Sequence, residues 1–195
     1  MEKGRVEAFT DGVIAVIITI MVLEMKAPHE ATWEALRGLW PILLSYVLSF
    51  IYIGIYWNNH HHMMHLTERV NGKVMWLNLL LLFWLSLLPF ATSWLNEAHP
   101  VPAPVPTAAY GFVLLMTALS WLPLSRALIA ANGGKNGELA QALGGDWKSR
   151  VSLLIYASAI AFTFFAPIVS CVLYAAVAAM WFVPDRRIES KTVHS

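Results

Sequence analysis

A group of histidines and methionines is the densest set of side chains in this sequence that could do metal or proton chemistry. The group consists of His60, His61, His62, Met63, Met64 and His65. His61 and His65 are four residues apart, a spacing used for metal ligands on a helix. Imidazole also titrates near neutral pH, which makes a pH sensor the second possibility. Glu68 is the only carboxylate nearby and completes no zinc motif, so we favour structural contacts with the first helix.

The first apolar segment is bracketed by acidic residues. It runs from position 5 to position 25 and contains Glu7, Asp11 and Glu24, and its uninterrupted apolar core has 12 residues. Twelve residues make about 18 Å of helix, whereas the lipid core is about 30 Å thick. An acidic side chain in the membrane centre also costs on the order of 2.5–3.5 kcal/mol. We therefore expect protein or water, and not lipid, to surround this helix.

One face of this first helix combines small and apolar residues with a hydroxyl group. Gly12, Val16, Thr19 and Leu23 follow at intervals of four, three and four, which places them on one side of a helix. A seam against a neighbouring helix would explain them, because small residues allow close approach and threonine can bond a carbonyl. The alternative is a pore wall. Val16 and Leu23 would then be constrictions that close by dewetting, and Thr19 would offer oxygen to an ion.

The overall composition identifies lipid as the solvent for most of the chain. Of its 195 residues, 58% are hydrophobic and 13% are charged, against roughly 25% charged in a typical soluble domain. This balance excludes a soluble enzyme and a disordered chain, and the net charge of +1 argues against a nucleic-acid partner. The single cysteine excludes a disulfide framework and a cysteine-based zinc site.

Six apolar segments predict six transmembrane helices in a single domain, residues 1–195. They lie near residues 9–25, 39–58, 74–95, 107–130, 151–166 and 168–183. The last two belong to one apolar run of 33 residues. A helix of that length would extend about 50 Å, so we divide the run at Pro167, which suits a tight turn.

Positive charges predict how these helices are oriented. With six spans and both termini in the cytoplasm, eleven of the thirteen Lys and Arg residues fall inside, and only Lys26 and Arg37 fall outside. Cytoplasmic loops of membrane proteins carry such an excess. Five spans would put the basic C-terminal tail on the wrong side. We therefore predict an all-α membrane protein with cytoplasmic N- and C-termini.

Short motifs in the first three predicted helices match a known pattern. Arg5 precedes Phe9-Thr10-Asp11 at the start of the first helix. The second span ends in YWNNHH (56–61), and the third contains WLN (76–78) and LPF (88–90). These residues resemble the transmembrane-protein-175 family of potassium channels, whose mark is Arg, three residues, then Phe-Ser-Asp. The resemblance extends over essentially the whole chain in helix number and topology.

The resemblance implies a homotetrameric cation channel that prefers potassium and conducts it passively. Prokaryotic members of the family surround the ion path with four first helices and have no re-entrant carbonyl filter; this sequence has no TVGYG-like segment. Carried over by position, the pore layers are Val16, Thr19 and Leu23, the stripe that spacing isolated together with Gly12. Val16 stands where the family usually has isoleucine or leucine, so we expect a wider constriction here.

The other motif residues are predicted to anchor the first helix. Asp11 could form a cation-attracting ring at the inner mouth, or it could accept hydrogen bonds from Arg5, Trp57 or a histidine. The resemblance and the cost of an unpaired carboxylate favour the anchor. Thr10 replaces the family's serine and keeps the hydroxyl, and Asn78 in the third span is expected to bond across helices. The predicted anchoring set is Arg5, Phe9, Thr10, Asp11, Trp57, His60 and His61.

The predicted partners are further copies of the chain, potassium ions and the lipid bilayer. No nucleic acid, cofactor or resident metal is expected, and the expected location is a prokaryotic cell membrane that the chain crosses several times. The chief alternative function is a proton-coupled or other secondary transporter. Such proteins usually carry ionisable residues at mid-membrane and internal repeats, whereas Asp11 and Glu24 lie near helix ends. A metalloenzyme built on the histidines is the more distant alternative.

Overall fold

The computed structural model describes residues 2–98, 102–143 and 147–182, and these residues form nine α-helices and one short 3-10 helix. The α-helices are α1 (Lys3–Leu23), α2 (Trp33–Gly38), α3 (Trp40–His65), α4 (Gly72–Ser86), α5 (Leu88–Glu97), α6 (Pro104–Ala131), α7 (Glu138–Leu143), α8 (Trp147–Phe162) and α9 (Pro167–Phe182). The 3-10 helix is Gly134–Asn136. The all-helical fold agrees with the prediction from sequence.

Among the described residues, four helical segments are long and apolar enough to cross a membrane: α1, α3, α6 and the pair α4 and α5 taken together. The pair α8 and α9 has 16 residues in each helix, or about 24 Å, and α9 begins at the Pro167 where the sequence predicted a turn. Six spans and cytoplasmic termini remain predictions. The basic residues 186, 187 and 191, on which the C-terminal orientation depends, lie outside the described residues.

Two helices extend beyond the spans predicted from the sequence. Helix α1 begins at Lys3 and not near residue 9, so Arg5 is already helical. Helix α3 continues to His65 and not only to residue 58, so the four clustered histidines belong to the helix. The predicted boundaries followed the apolar runs. Polar residues extend both helices because side chains of neighbouring helices give them hydrogen-bond and ion-pair partners.

The third predicted span is divided into α4 and α5 at Leu87. Pro89 lies in the first turn of α5 and has no backbone N–H to continue the preceding hydrogen-bond ladder. Ser86, just before the break, donates its hydroxyl to the carbonyl of Phe83 in its own helix. The break turns Phe90 and Ser93 toward α1, where they line an open groove.

Helix α1 lies at the edge of the bundle. It packs against α3, α4 and α5, whereas α6 packs against α4, α5, α8 and α9 and occupies the centre. Buried tyrosines fill the core on the far side, where the hydroxyl of Tyr52 donates to the carbonyl of Tyr174 at 2.6 Å. The chain therefore covers one side of α1 and leaves the other side open.

Candidate ion path along the first helix

The two sides of α1 differ in burial and in residue size. The packed side consists of Val6, Thr10, Ile14, Ile17 and Met21. Their spacing of four, four, three and four follows the 3.6-residue period, so the five side chains form one continuous stripe. This stripe faces α3, α4 and α5, and the residues on the opposite side of α1 point away from the bundle.

The four predicted pore residues all lie on the open side. Gly12, Val16, Thr19 and Leu23 are exposed, with Val16 54% and Leu23 77% accessible. Their exposure argues against a seam with another described helix of the same chain, while a seam against another copy of the chain and a pore wall both remain predictions. In a membrane protein an open apolar face meets lipid, another copy of the chain, or water in a pore.

The hydroxyl of Thr19 donates its hydrogen to a backbone carbonyl of its own helix. Its Oγ1 donates to the carbonyl of Val16 at 2.9 Å and lies 3.1 Å from that of Ala15. A hydroxyl that donates into its own helix keeps its oxygen lone pairs free to accept. Because Thr19 is exposed, those lone pairs are available to a water molecule or a cation beside the helix.

An open groove of about 720 Å³ runs between α1 and the junction of α4 and α5. Its walls are mainly apolar and include Phe9, Val16 and Phe90. Phe9, which the sequence assigned to the anchoring set, is 54% exposed and lies in this groove, so it is not buried against α3. At one end of the groove the hydroxyl of Ser93 donates to Glu24 Oε2 at 3.2 Å.

A buried chain of hydrogen bonds joins α1 to α4 and α3. Asn78 Nδ2 donates to Thr10 Oγ1 at 2.8 Å, and Asn78 Oδ1 lies 3.0 Å from His60 Nε2. The amide oxygen can only accept, so His60 Nε2 carries the hydrogen. All three residues are at most 2% exposed. The structure thus brings together Thr10, His60 and the Asn78 that was expected to bond across helices.

A second, more exposed group joins α1 to α3. Trp57 Nε1 donates to Asp11 Oδ1 at 2.9 Å, so Asp11 has one of the three partners considered from the sequence. The ring of His61 stacks on Trp57 with centroids 5.9 Å apart, and His61 Nδ1 lies 3.6 Å from Glu7 Oε1. Glu7 and Asp11 are one helical turn apart, as are Trp57 and His61, so two matched pairs face each other.

Arg5 does not join these contacts. It is exposed and makes no side-chain hydrogen bond or ion pair with the described residues. Six residues of helix separate Arg5 from Asp11, which places them roughly 120° apart around the axis. The hypothesis that Arg5 is the hydrogen-bond partner of Asp11 is therefore wrong. Lys3 makes a contact that the sequence did not predict: its Nζ donates to the backbone carbonyl of His65 at 3.2 Å. Glu7 was also missed, although its position four residues before Asp11 was a usable signal.

The clustered histidines have separate surroundings. His60 is buried against Asn78, whereas the side chain of His61 is 49% exposed beside Glu7. Within residues 2–98, 102–143 and 147–182, no three His, Cys, Asp or Glu residues are arranged to hold a metal ion. His60 acts in this structure as a hydrogen-bond donor to α4, and His61 lies beside a carboxylate of α1.

Known proteins similar to this chain are ion channels. The family model described as endosomal/lysosomal potassium channel TMEM175 matches residues 5–89. A protein named potassium channel from Chryseobacterium sp. (strain P1-3) is 47% identical over 97% of both chains. The crystal structure of a lysosomal potassium-selective channel TMEM175 homolog from Chamaesiphon minutus matches 93% of this chain and 97% of its own, with TM-score 0.79 and 30% identity. A Gallus gallus relative named endosomal/lysosomal proton channel TMEM175 is 32% identical over half of this chain and 22% of its own length.

Proposed function

The chain belongs to the TMEM175 family of channels, and from this we propose that it conducts potassium passively through a pore formed by four copies. It is a multi-pass membrane protein and not an enzyme. The bacterial potassium channel that matches nearly its full length supports potassium as the ion and a bacterial cell membrane as the location. Four copies of α1 would surround the ion path in this proposal.

One observation carries the proposal: Gly12, Val16, Thr19 and Leu23 share the open side of a helix whose opposite side is buried. Leu23 is 77% exposed and Val16 54%, so the described residues leave most of the Leu23 side chain and about half of Val16 uncovered. A ring of four α1 helices would shield these residues from lipid and place them along a central passage. It would also place the acceptor oxygens of Thr19 between two apolar layers.

Ion preference would arise at these layers from the cost of removing water. Sodium holds its hydration shell more tightly than potassium and loses more on entering a narrow apolar passage. The lone pairs of Thr19 would replace part of the water that potassium gives up. When the Val16 and Leu23 rings approach closely, the passage between them dries and the pore closes.

Flux of potassium into liposomes and bi-ionic potassium/sodium recordings in planar bilayers test this proposal. We expect Leu23→Ala to raise the flux several-fold, because it widens a constriction, and Thr19→Val to lower the potassium/sodium permeability ratio. Leu154→Ala is the matched control, since Leu154 is a comparably exposed leucine on α8, and it should change neither quantity. Unchanged flux and ion preference in both α1 variants would overturn the pore assignment.

The same recordings separate the alternative functions. A secondary transporter gives no unitary currents, whereas a channel gives discrete openings. A pH gradient across the bilayer tests protons as the permeant ion, which the names of the vertebrate relatives suggest for those proteins. A reversal potential that follows the potassium gradient and not the pH gradient is the outcome we expect for this chain.

A further inference from the structure

Glu24 lies at the mouth of the proposed ion path. It immediately follows Leu23, the last residue of α1, and its backbone N–H still bonds to the carbonyl of Ile20. The side chain is exposed and borders both the groove beside α1 and a cleft of about 280 Å³ between α1, α3 and α5. Four copies of α1 around an axis would bring four such carboxylates to the same end of the pore.

The carboxylate of Glu24 forms no ion pair with the described residues. Its contact is the neutral hydroxyl of Ser93, which donates to Oε2 at 3.2 Å. The cationic residue of the same cleft, Lys26, pairs with Glu97, with Nζ and Oε1 3.7 Å apart. His29 lines the cleft as well but forms no ion pair with the described residues. Glu24 is therefore held in position by a bond that leaves its charge intact.

We infer that Glu24 sets the unitary conductance of the channel by raising the cation concentration at this mouth of the pore. The inference rests on the proposed function, because it needs four copies of α1 around one axis. Rings of acidic side chains attract cations into channel mouths through the local potential. Glu24 acts through its charge, and Ser93 only positions it.

Salt concentration distinguishes this charge effect from a structural one. The screening length is about 20 Å in 20 mM salt and about 3 Å in 1 M salt. In dilute salt the carboxylates of all four copies act together on the mouth, whereas in concentrated salt each is screened within its own copy. A loss of packing or of a hydrogen bond has no such dependence on salt.

Single-channel recordings of three variants of the full-length protein test the inference. Glu24→Gln removes the charge but keeps an oxygen that accepts from Ser93, Ser93→Ala removes the bond but keeps the charge, and Glu34→Gln removes a charge on α2. We expect Glu24→Gln to lower the potassium conductance about two- to fourfold in about 20 mM KCl and less than about 1.3-fold in about 1 M KCl. Ser93→Ala and Glu34→Gln should each change the conductance less than about 1.3-fold at both concentrations.

A cysteine variant provides a second measurement that does not depend on how Glu24→Gln folds. Cys171 is the only cysteine in the sequence, so Glu24→Cys in a Cys171→Ser background carries one exposed thiol. A negatively charged thiosulfonate reagent should restore the conductance in dilute salt, and a neutral reagent of similar size should not. Restoration by both reagents would overturn the charge mechanism.

The recordings distinguish a failure of the inference about Glu24 from a failure of the channel proposal. If Glu24→Gln conducts like the wild type in dilute salt, the inference about Glu24 is wrong and the channel proposal stands. If Ser93→Ala reproduces the loss seen with Glu24→Gln at both salt concentrations, Glu24 acts as a structural tether and the inference is wrong. If the wild-type protein shows no unitary potassium currents, the channel proposal fails and the inference fails with it.

Discussion

The two halves of helix α1 are held in different ways. The motif half, residues 3–11, makes polar contacts with α3 and α4 through Lys3, Glu7, Thr10 and Asp11. The apolar half, residues 12–23, packs against the bundle through three buried side chains, Ile14, Ile17 and Met21. The predicted pore residues belong to the apolar half. The motif half is thus fixed by several directional bonds, while the part that would line the ion path is held by packing and by the single bond from Ser93 to Glu24 just beyond its last residue.

This difference follows from what stabilises helix packing in a membrane. Lipid is as apolar as leucine, so burying Ile17 against another helix gains packing contacts but no strong hydrophobic driving force. Apolar packing also tolerates small rotations. Hydrogen bonds such as Asn78 to Thr10 fix both the rotation and the height of α1. The motif half therefore determines which side of the apolar half faces away from the bundle.

Among substitutions that affect the motif half, Asn78→Leu should have the largest effect, because it removes the buried hydrogen bonds that join α1 to α4 and α3. The substitution leaves the buried Thr10 hydroxyl and His60 Nε2 without a partner, and we expect a loss of stability on the order of 2 kcal/mol. The thermal unfolding midpoint in detergent should fall by about 5 °C, and the potassium flux of the folded protein should fall as well. Asn59→Leu is the matched control, because the Asn59 amide donates to Ile55 in its own helix. Equal midpoints for the two variants would contradict the role of Asn78.

The bond between Trp57 and Asp11 should have the next largest effect. Trp57→Phe removes the donor but keeps an aromatic ring beside His61, and we expect a loss of about 1 kcal/mol because Trp57 is 43% exposed. A double-mutant cycle with Asp11→Ala, which removes the acceptor, measures the coupling directly. The two effects should be less than additive by about 0.5–1 kcal/mol. Full additivity would show that the 2.9 Å contact contributes nothing to stability.

The sequence predicted the motif half less completely than the open face of α1. Spacing alone placed Gly12, Val16, Thr19 and Leu23 on one side, because helical periodicity depends only on position within α1. It could not decide between Arg5, Trp57 and a histidine as the partner of Asp11, because that choice depends on how α1 and α3 pack. The break at Leu87 was missed for a related reason: the run from 74 to 95 is apolar on both sides of it.

Ile17→Val tests the apolar half. Ile17 is 3% exposed, and losing one methyl group from a packed site should cost about 0.5–1.5 kcal/mol. The potassium/sodium permeability ratio should stay unchanged, because the motif half still fixes the rotation of α1. Ile20→Val also removes one methyl group, but from a residue that is 45% exposed, and should have a smaller effect on the unfolding midpoint. A changed permeability ratio in Ile17→Val would show that packing also determines the rotation.

The smallest effect is expected for Glu7→Gln, although it too lies in the motif half. Its Oε1 is 3.6 Å from His61 Nδ1, and both side chains reach water, so the pair should contribute at most about 0.5 kcal/mol. Any difference from the wild-type unfolding midpoint should disappear in about 1 M salt. Glu68→Gln is a control for removing an exposed carboxylate near the same end of α3. If Glu7→Gln destabilised the protein as much as Asn78→Leu, charge and not buried hydrogen bonding would fix α1, and salt alone would then release the helix.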